Sequence, residues 1–172
     1  MISMVTIDKE NKFEEEKESI YLETTVVSYY TSRPSRDIIA LAHQEITRQW
    51  WPTAIRRYNV YISEIVIEEA SSGDPEVAKR RMEEIKDFPH LELNEKVESM
   101  AQIYVERLNI PEKSIRDAIH LAVACVHNID YLITWNCKHL ANGEIIKKLM
   151  KINDSFGIHT PIILTPEELM EE

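Results

Sequence analysis

Glycine is nearly missing from this chain, with three in 172 residues. Loops that cradle nucleotide phosphates rely on closely spaced glycines, because only glycine lets the backbone turn sharply and approach the ligand. Neither G-x-G-x-x-G nor G-x-x-x-x-G-K-[ST] occurs, nor does the nucleophile elbow G-x-S-x-G, which argues against those chemistries. Cysteine is scarcer still. Cys125 and Cys137 are the only two and form no C-x-x-C pair, so neither a disulfide framework nor a thiolate zinc site is expected, and both are read as reduced, buried thiols. No apolar run approaches about 18 residues, and acids stand within the first two dozen positions, so neither a membrane span nor a secretory signal is supported. A cytoplasmic protein without membrane attachment is expected.

What is present is a core-sized share of apolar residues, 44%, in a length suited to one compact domain. The formal net charge is -10. A basic footprint is the usual mark of a nucleic-acid partner, but the acids are unevenly placed. Residues 1–18 carry six acids and three lysines, and residues 167–172 carry four acids. The stretch between them is close to balanced, with local basic groups at Arg33 with Arg36, Arg48, Arg56 with Arg57, and Lys79 to Arg81; solvated helix faces are the plain explanation of these groups. The chain is divided accordingly into a polar leader (1–18), a domain (19–166) and an acidic tail (167–172).

The apolar pattern predicts strands at Ile20–Val27, Val60–Ser63, Leu91–Leu93, Tyr131–Thr134 and Ile162–Leu164. Helices are predicted between them. One runs over Ser35–Arg57 with Pro52 interrupting it, one follows Ser63, one opens at Asp74-Pro75, and one covers Glu95–Leu108. A further helix from Ser114 is expected to be buried almost all round, and others cover Gly143–Met150 and open at Thr165-Pro166. Strands alternating with helices imply a parallel sheet covered on both faces, with ligands bound at the carboxyl ends of its strands.

Polar residues interrupt this pattern at those ends. Glu23 breaks the apolar run I-Y-L-E-T-T-V-V, Asp117 stands in the first turn of the buried helix, and Asn136 follows the strand at Tyr131. Glu64, Glu68 and Glu69 follow the second strand. Carboxylates are rarely buried unless partnered or neutralised, so acids gathered here suggest a shared cation. The six histidines show no H-E-x-x-H or similar spacing, which leaves carboxylates as the metal ligands and favours Mg2+ or Mn2+ over zinc. Acids holding divalent ions are what phosphodiester hydrolysis requires.

The segments Y-L-E-T-T-V-V-S-Y, Y-I-S-E-I-V-I-E-E-A, R-D-A-I-H-L-A-V-A and Y-L-I-T-W-N-C-K-H-L resemble, in order and spacing, the PIN-domain family, and within it the toxin ribonucleases of the VapC type. The resemblance spans about Ser19 to Leu164. It implies an α/β fold, a PIN-like three-layer α/β/α sandwich with a central, mainly parallel sheet of about four to five strands. It implies a metal-dependent endoribonuclease acting through metal-activated water, with 5′-phosphate and 3′-hydroxyl products. The family's catalytic and metal-binding positions fall on Glu23, Glu69, Asp117 and Asn136. Two of them depart from the family, which carries aspartate at the places of Glu23 and Asn136. An RNA substrate, a homodimer and an antitoxin whose basic or aromatic side chains block the acidic site are implied as well. Arg33, Arg36 and Lys138 are candidates for contact with the RNA backbone.

Each residue also admits a plainer role. Asp117 suits the positive end of its helix, Glu23 could discourage edge pairing, and Glu68 could face the site in place of Glu69. Asn136 suits a turn, His139 a structural contact, and Thr24 and Thr134 caps. The two departures motivate a second function, a catalytically silent PIN-like module binding RNA or a protein. A phosphotransferase of the haloacid-dehalogenase kind would need D-x-D where this chain has E-T-T.

Overall fold

The computed structural model describes residues 16–170, so positions 1–15 of the expected leader and the last two residues of the acidic tail lie outside the described residues. Five strands form one parallel sheet: β1 (Ser19–Leu22), β2 (Asn59–Ser63), β3 (His90–Leu91), β4 (Tyr131–Ile133) and β5 (Ile162–Leu164). Their spatial order is β3-β2-β1-β4-β5. Ile20 pairs with Val60 on one side and Tyr131 on the other, and Tyr131 also pairs with Ile162. β1 is central, and Ile20, Tyr21 and Leu22 are buried as a continuous run, the pattern of a strand covered on both faces.

Helices α1 (Thr24–Thr31), α2 (Ile38–Arg57), α3 (Glu64–Ala70) and α4 (Pro75–Ile85) lie in the connections from β1 out to β3, and α1 packs on each of the other three. Helices α5 (Glu95–Arg107) and α6 (Ile115–Val126) pack together within the return to β4, and α7 (Gly143–Phe156) joins β4 to β5. The three layers expected from the sequence are therefore observed. The chain moves outward from β1 in one direction and then starts again on its other side. The strand order thus reverses between β1 and β4, and the crevice above their carboxyl ends is where such sheets bind ligands.

Several boundaries differ from the sequence expectation. β1 ends at Leu22, not Val27, because Glu23 caps α1 and accepts from the Thr25 N–H at 3.2 Å. The β-branched residues Thr24 to Val27 are largely buried as helix, so packing overrides their strand preference. Pro52 lies within α2 without ending it, on the exposed side where water can pair the carbonyl it leaves free. α7 continues to Phe156 and stops at Gly157, whose φ of 63° is a left-handed helix end. Cys125 is buried as expected and burial pushes its thiol up to about 11. Cys137, expected to be buried, is exposed because the loop after β4 carries it outward.

At the opposite end of the sheet, Asp130 Oδ2 accepts from Ser19 N and Ser19 Oγ, both at 2.7 Å, and fastens β1 to β4. The Ser19 backbone and hydroxyl donors hold its carboxyl below the ordinary 3.8. A carboxyl depressed by folding contributes stability in full above its unfolded pKa, and the contribution fades as pH falls through the native value. Asp130→Asn is therefore expected to lower the Tm at about pH 7 and to lower it less at about pH 2. Equal losses in melts at the two pH values would place the effect in packing instead.

Candidate functional site

Four elements deliver side chains to the carboxyl end of the sheet. Glu23 follows β1 directly, and its backbone N–H donates to Ile133 O at 3.0 Å, which sets it beside β4. The residue is only 4% exposed. Its Oε2 accepts from Thr134 Oγ1 at 2.7 Å and from Thr25 Oγ1. These hydroxyls are neutral donors, and His120 Nε2 lies 3.9 Å from the other carboxylate oxygen, Oε1.

Glu69 arrives from α3 and faces inward. Its Oε1 accepts from Thr24 Oγ1 at 2.9 Å and meets His120 Nε2 at 2.7 Å. The neighbouring Glu68 turns outward to Arg116, at 2.7 Å, so Glu69 is the acid of this pair that lies with Glu23. Burial alone would raise the Glu69 carboxyl, but the hydrogen bond and charge of His120, the Thr24 hydroxyl and Arg116 outweigh it and hold the group below its usual range.

His120 comes from α6 and is 1% exposed. Its Nδ1 is 2.7 Å from Tyr21 Oη, which in turn is 2.8 Å from Ser63 Oγ. Burial raises the Tyr21 hydroxyl well above its ordinary value, so Tyr21 serves this chain as a neutral hydroxyl. The chain Ser63, Tyr21, His120, Glu69, Thr24 crosses under the acids and fixes the orientation of Glu69. Ligand atoms of Glu23, Glu69 and His120 lie within 4.8 Å of one another.

Asp117, one turn before His120 on α6, belongs to an adjacent group. Its Oδ1 accepts from Asn136 Nδ2 at 3.0 Å, and its Oδ2 meets His139 Nδ1 at 2.7 Å. Asn136 Oδ1 is taken by the His139 backbone N–H at 3.0 Å. Thr134 joins the two groups, since its hydroxyl accepts from Asn136 N at 2.9 Å while donating to Glu23. The structure thus brings Glu23 to Glu69, and Asp117 to Asn136, with one threonine between the pairs.

Local histidine spacing carried no sign of His120, because its partners come from other elements. One signal was available: three residues after Asp117 on a helix, His120 shares that residue's face. The donor set fits a divalent cation. Two carboxylates, Glu23 buried and Glu69 half-buried, lie close to one buried imidazole, and oxygen donors dominate. Like charges so placed gain from a cation between them.

No protein-family model matches the chain, and no curated protein sequence does. Solved structures do match. One is a chain of VapBC2 from Rickettsia felis, crystallised bound to a DNA fragment from their promoter, with 13% sequence identity and a TM-score of 0.55. The match covers 86% of this chain and 98% of that one. At that identity the likeness concerns the fold, and it agrees with the PIN-like α/β/α sandwich. Among the described residues no helix is long and apolar enough to cross a membrane.

Proposed function

We propose that this chain is a metal-dependent endoribonuclease of the PIN type and the toxin of a toxin-antitoxin pair. The observation that carries the proposal is the meeting of Glu23, Glu69 and His120 at the switch point of a parallel sheet. The structural likeness to a VapBC2 chain supports the toxin assignment. Glu23 and Glu69 would hold Mg2+ or Mn2+, with Asp117 and Asn136 completing the site. Bound there, the ion would supply positive charge against a scissile phosphate and would activate a water for attack on it. Thr25 and Thr134 orient the Glu23 carboxylate, His120 and Thr24 orient that of Glu69, and His139 orients that of Asp117. Arg33, Arg36 and Lys138 are exposed bases able to meet RNA phosphates. An antitoxin with basic or aromatic side chains would block the acids, and a homodimer is proposed with the toxin assignment.

The silent binding module is the second function, and the hydrogen bonding of Asn136 favours it. The amide of Asn136 donates to Asp117, so this position adds no charge to the site. One assay separates the two functions. Incubated with a pool of single-stranded RNA, the wild type is expected to cleave with Mn2+ and not with EDTA. Asp117→Asn is expected to lose about a hundred-fold or more of that rate while its melting curve is retained. Asn136→Asp sets a second carboxylate against Asp117 in place of a donor. The variant is expected to melt earlier without metal and to bind Mn2+ more tightly in calorimetry. Absence of cleavage by the wild type and by Asn136→Asp, under conditions where both bind the RNA, would favour the silent module.

A further inference from the structure

Next to the acids, and outside the groups assigned above, the structure builds an aromatic surface. Trp135 immediately precedes Asn136, and its backbone N–H donates at 2.9 Å to Thr25 Oγ1, the hydroxyl that donates to Glu23. The indole is fixed from within. Its Nε1 donates at 2.8 Å to Thr47 Oγ1, which donates at 2.6 Å to His43 O. The His43 ring stacks on the indole with centroids 4.0 Å apart and planes 14° apart. Tyr29 leans against both, its centroid 5.9 Å from His43 and 6.2 Å from Trp135. Trp135 is buried, whereas His43 and Tyr29 are half-buried, so the stack has a covered floor and two partly open rings. Ile39, one turn before His43 on the same face of α2, is 65% exposed.

The chain beside these rings is held in place. Gln44, only 4% exposed, accepts from Ser35 N at 2.9 Å and donates to Arg33 O at 3.2 Å. Arg48 donates to Ser32 O at 2.7 Å. Residues 32–35 are thereby pinned to α2. Arg33 and Arg36 are exposed, and neither guanidinium forms a salt bridge among the described residues.

Partly open rings, an exposed aliphatic side chain on α2 and exposed arginines on the segment that Gln44 and Arg48 pin to the same helix are the elements by which proteins hold single strands. Bases stack on the flat groups, and the arginines neutralise phosphates that the acidic site would otherwise repel. An acidic peptide would engage the arginines but leave the rings unused, and a duplex keeps its bases stacked on one another. We propose that Tyr29, His43 and Ile39 form a base-stacking subsite for single-stranded nucleic acid, with Arg33 and Arg36 taking its phosphates. The placement of this strand beside the scissile position rests on the nuclease function; binding itself requires neither metal nor catalysis.

The test is fluorescence anisotropy with a labelled single-stranded RNA of about twelve nucleotides, in EDTA and at low ionic strength, so that no cleavage intervenes. His43→Ala is expected to weaken binding by about five- to a hundred-fold, the loss of one stacked base. His43→Phe keeps a flat ring and is expected to bind like the wild type, which guards against a folding defect in the alanine variant. Arg33→Glu with Arg36→Glu is expected to weaken binding and to reduce its salt dependence. An oligonucleotide with abasic positions is expected to bind more weakly than the intact one. Equal affinities for wild type and His43→Ala, equal affinities for abasic and intact strands, a preference for duplex, or no binding by the wild type would each overturn the proposal. Loss of affinity in the arginine variant alone would also overturn it, in favour of an acidic protein segment. Because this readout omits metal, its failure is distinct from failure of the Mn2+-dependent cleavage.

Discussion

Manganese at about one hundred times its dissociation constant is expected to stabilise the wild-type fold by about 2.7 kcal/mol, and Glu69→Gln is expected to lose that stabilisation. For a domain of this size the shift corresponds to a rise in Tm of about 5–10 °C. The variant removes charge with little change of shape. The glutamine side-chain oxygen can still accept from Thr24 and from His120, so the hydrogen bonds that position the residue survive. What is lost is one of two carboxylates facing a shared volume. Glu23→Gln should lose the shift as well, for a related reason. Glu23 is almost fully buried on two hydroxyls and the Thr25 N–H, with His120 Nε2 3.9 Å away, so removing its charge relieves the metal-free protein. Glu23→Gln is thus expected to melt at or above the wild-type temperature in EDTA, and Glu69→Gln below it, because the folded protein holds the Glu69 carboxyl below its usual range. Both are expected to melt below the wild type in Mn2+. Differential scanning fluorimetry with and without the ion reads both effects. A shift of equal size in wild type and Glu69→Gln would remove Glu69 from the ion site.

The second large effect concerns stability away from the acids. Asn153 of α7 is fully buried and tied to four groups. It accepts from Tyr104 Oη at 2.5 Å, and its amide donates at 3.3 Å to Cys125 Sγ, at 3.3 Å to His159 O and at 2.9 Å to Thr160 Oγ1. One amide therefore joins α5, α6, α7 and the turn before β5. Asn153→Ala removes the partner of Tyr104 and Cys125 while leaving both buried, and an unsatisfied buried group costs about 1–3 kcal/mol. The expected loss is about 3 kcal/mol in urea unfolding, a large part of a typical domain's stability. Tyr104→Phe removes its own polar group with the bond and should cost about 1 kcal/mol. In the double variant the Tyr104 hydroxyl is no longer left without a partner, so the losses should sum to less than the two alone. Additive losses would show that the Tyr104–Asn153 bond contributes nothing of its own.

Much of the architecture was legible in the sequence. The alternation of short apolar runs with helical periodicity implied a parallel sheet, and α5 follows its apolar stripe, with Val97, Met100, Ala101 and Tyr104 buried. The near-absence of polar residues between Ala118 and Cys125 marked a helix enclosed by its neighbours, and seven of these eight residues are buried. Asp74 and Asn94 head their helices as side-chain caps, the signal that short polar residues give at such positions. The start of α1 was hidden because T-T-V-V has strand composition, and only burial on both sides of Glu23 makes it helical.

The residue types of the site were determined by the sequence alone: acids and one amide placed at strand ends, with too little glycine for a phosphate-cradling loop and too little cysteine for a thiolate centre. Which of these acids meet was decided by tertiary structure. Glu69 and His120 are 51 positions apart, and Glu23 and Thr134 are 111 apart. A rotation of about 100° per residue in a helix separates an acid that faces the crevice from one that faces water, as Glu69 differs from Glu68. Periodicity over so short a helix as α3 does not fix that rotation. The packing of α3 against β2 and against α6 does. The split into a Glu23–Glu69–His120 group and an Asp117–Asn136–His139 group, bridged by Thr134, arises in the same way. Hydrogen bonds between distant elements select among side chains that the local pattern leaves equivalent.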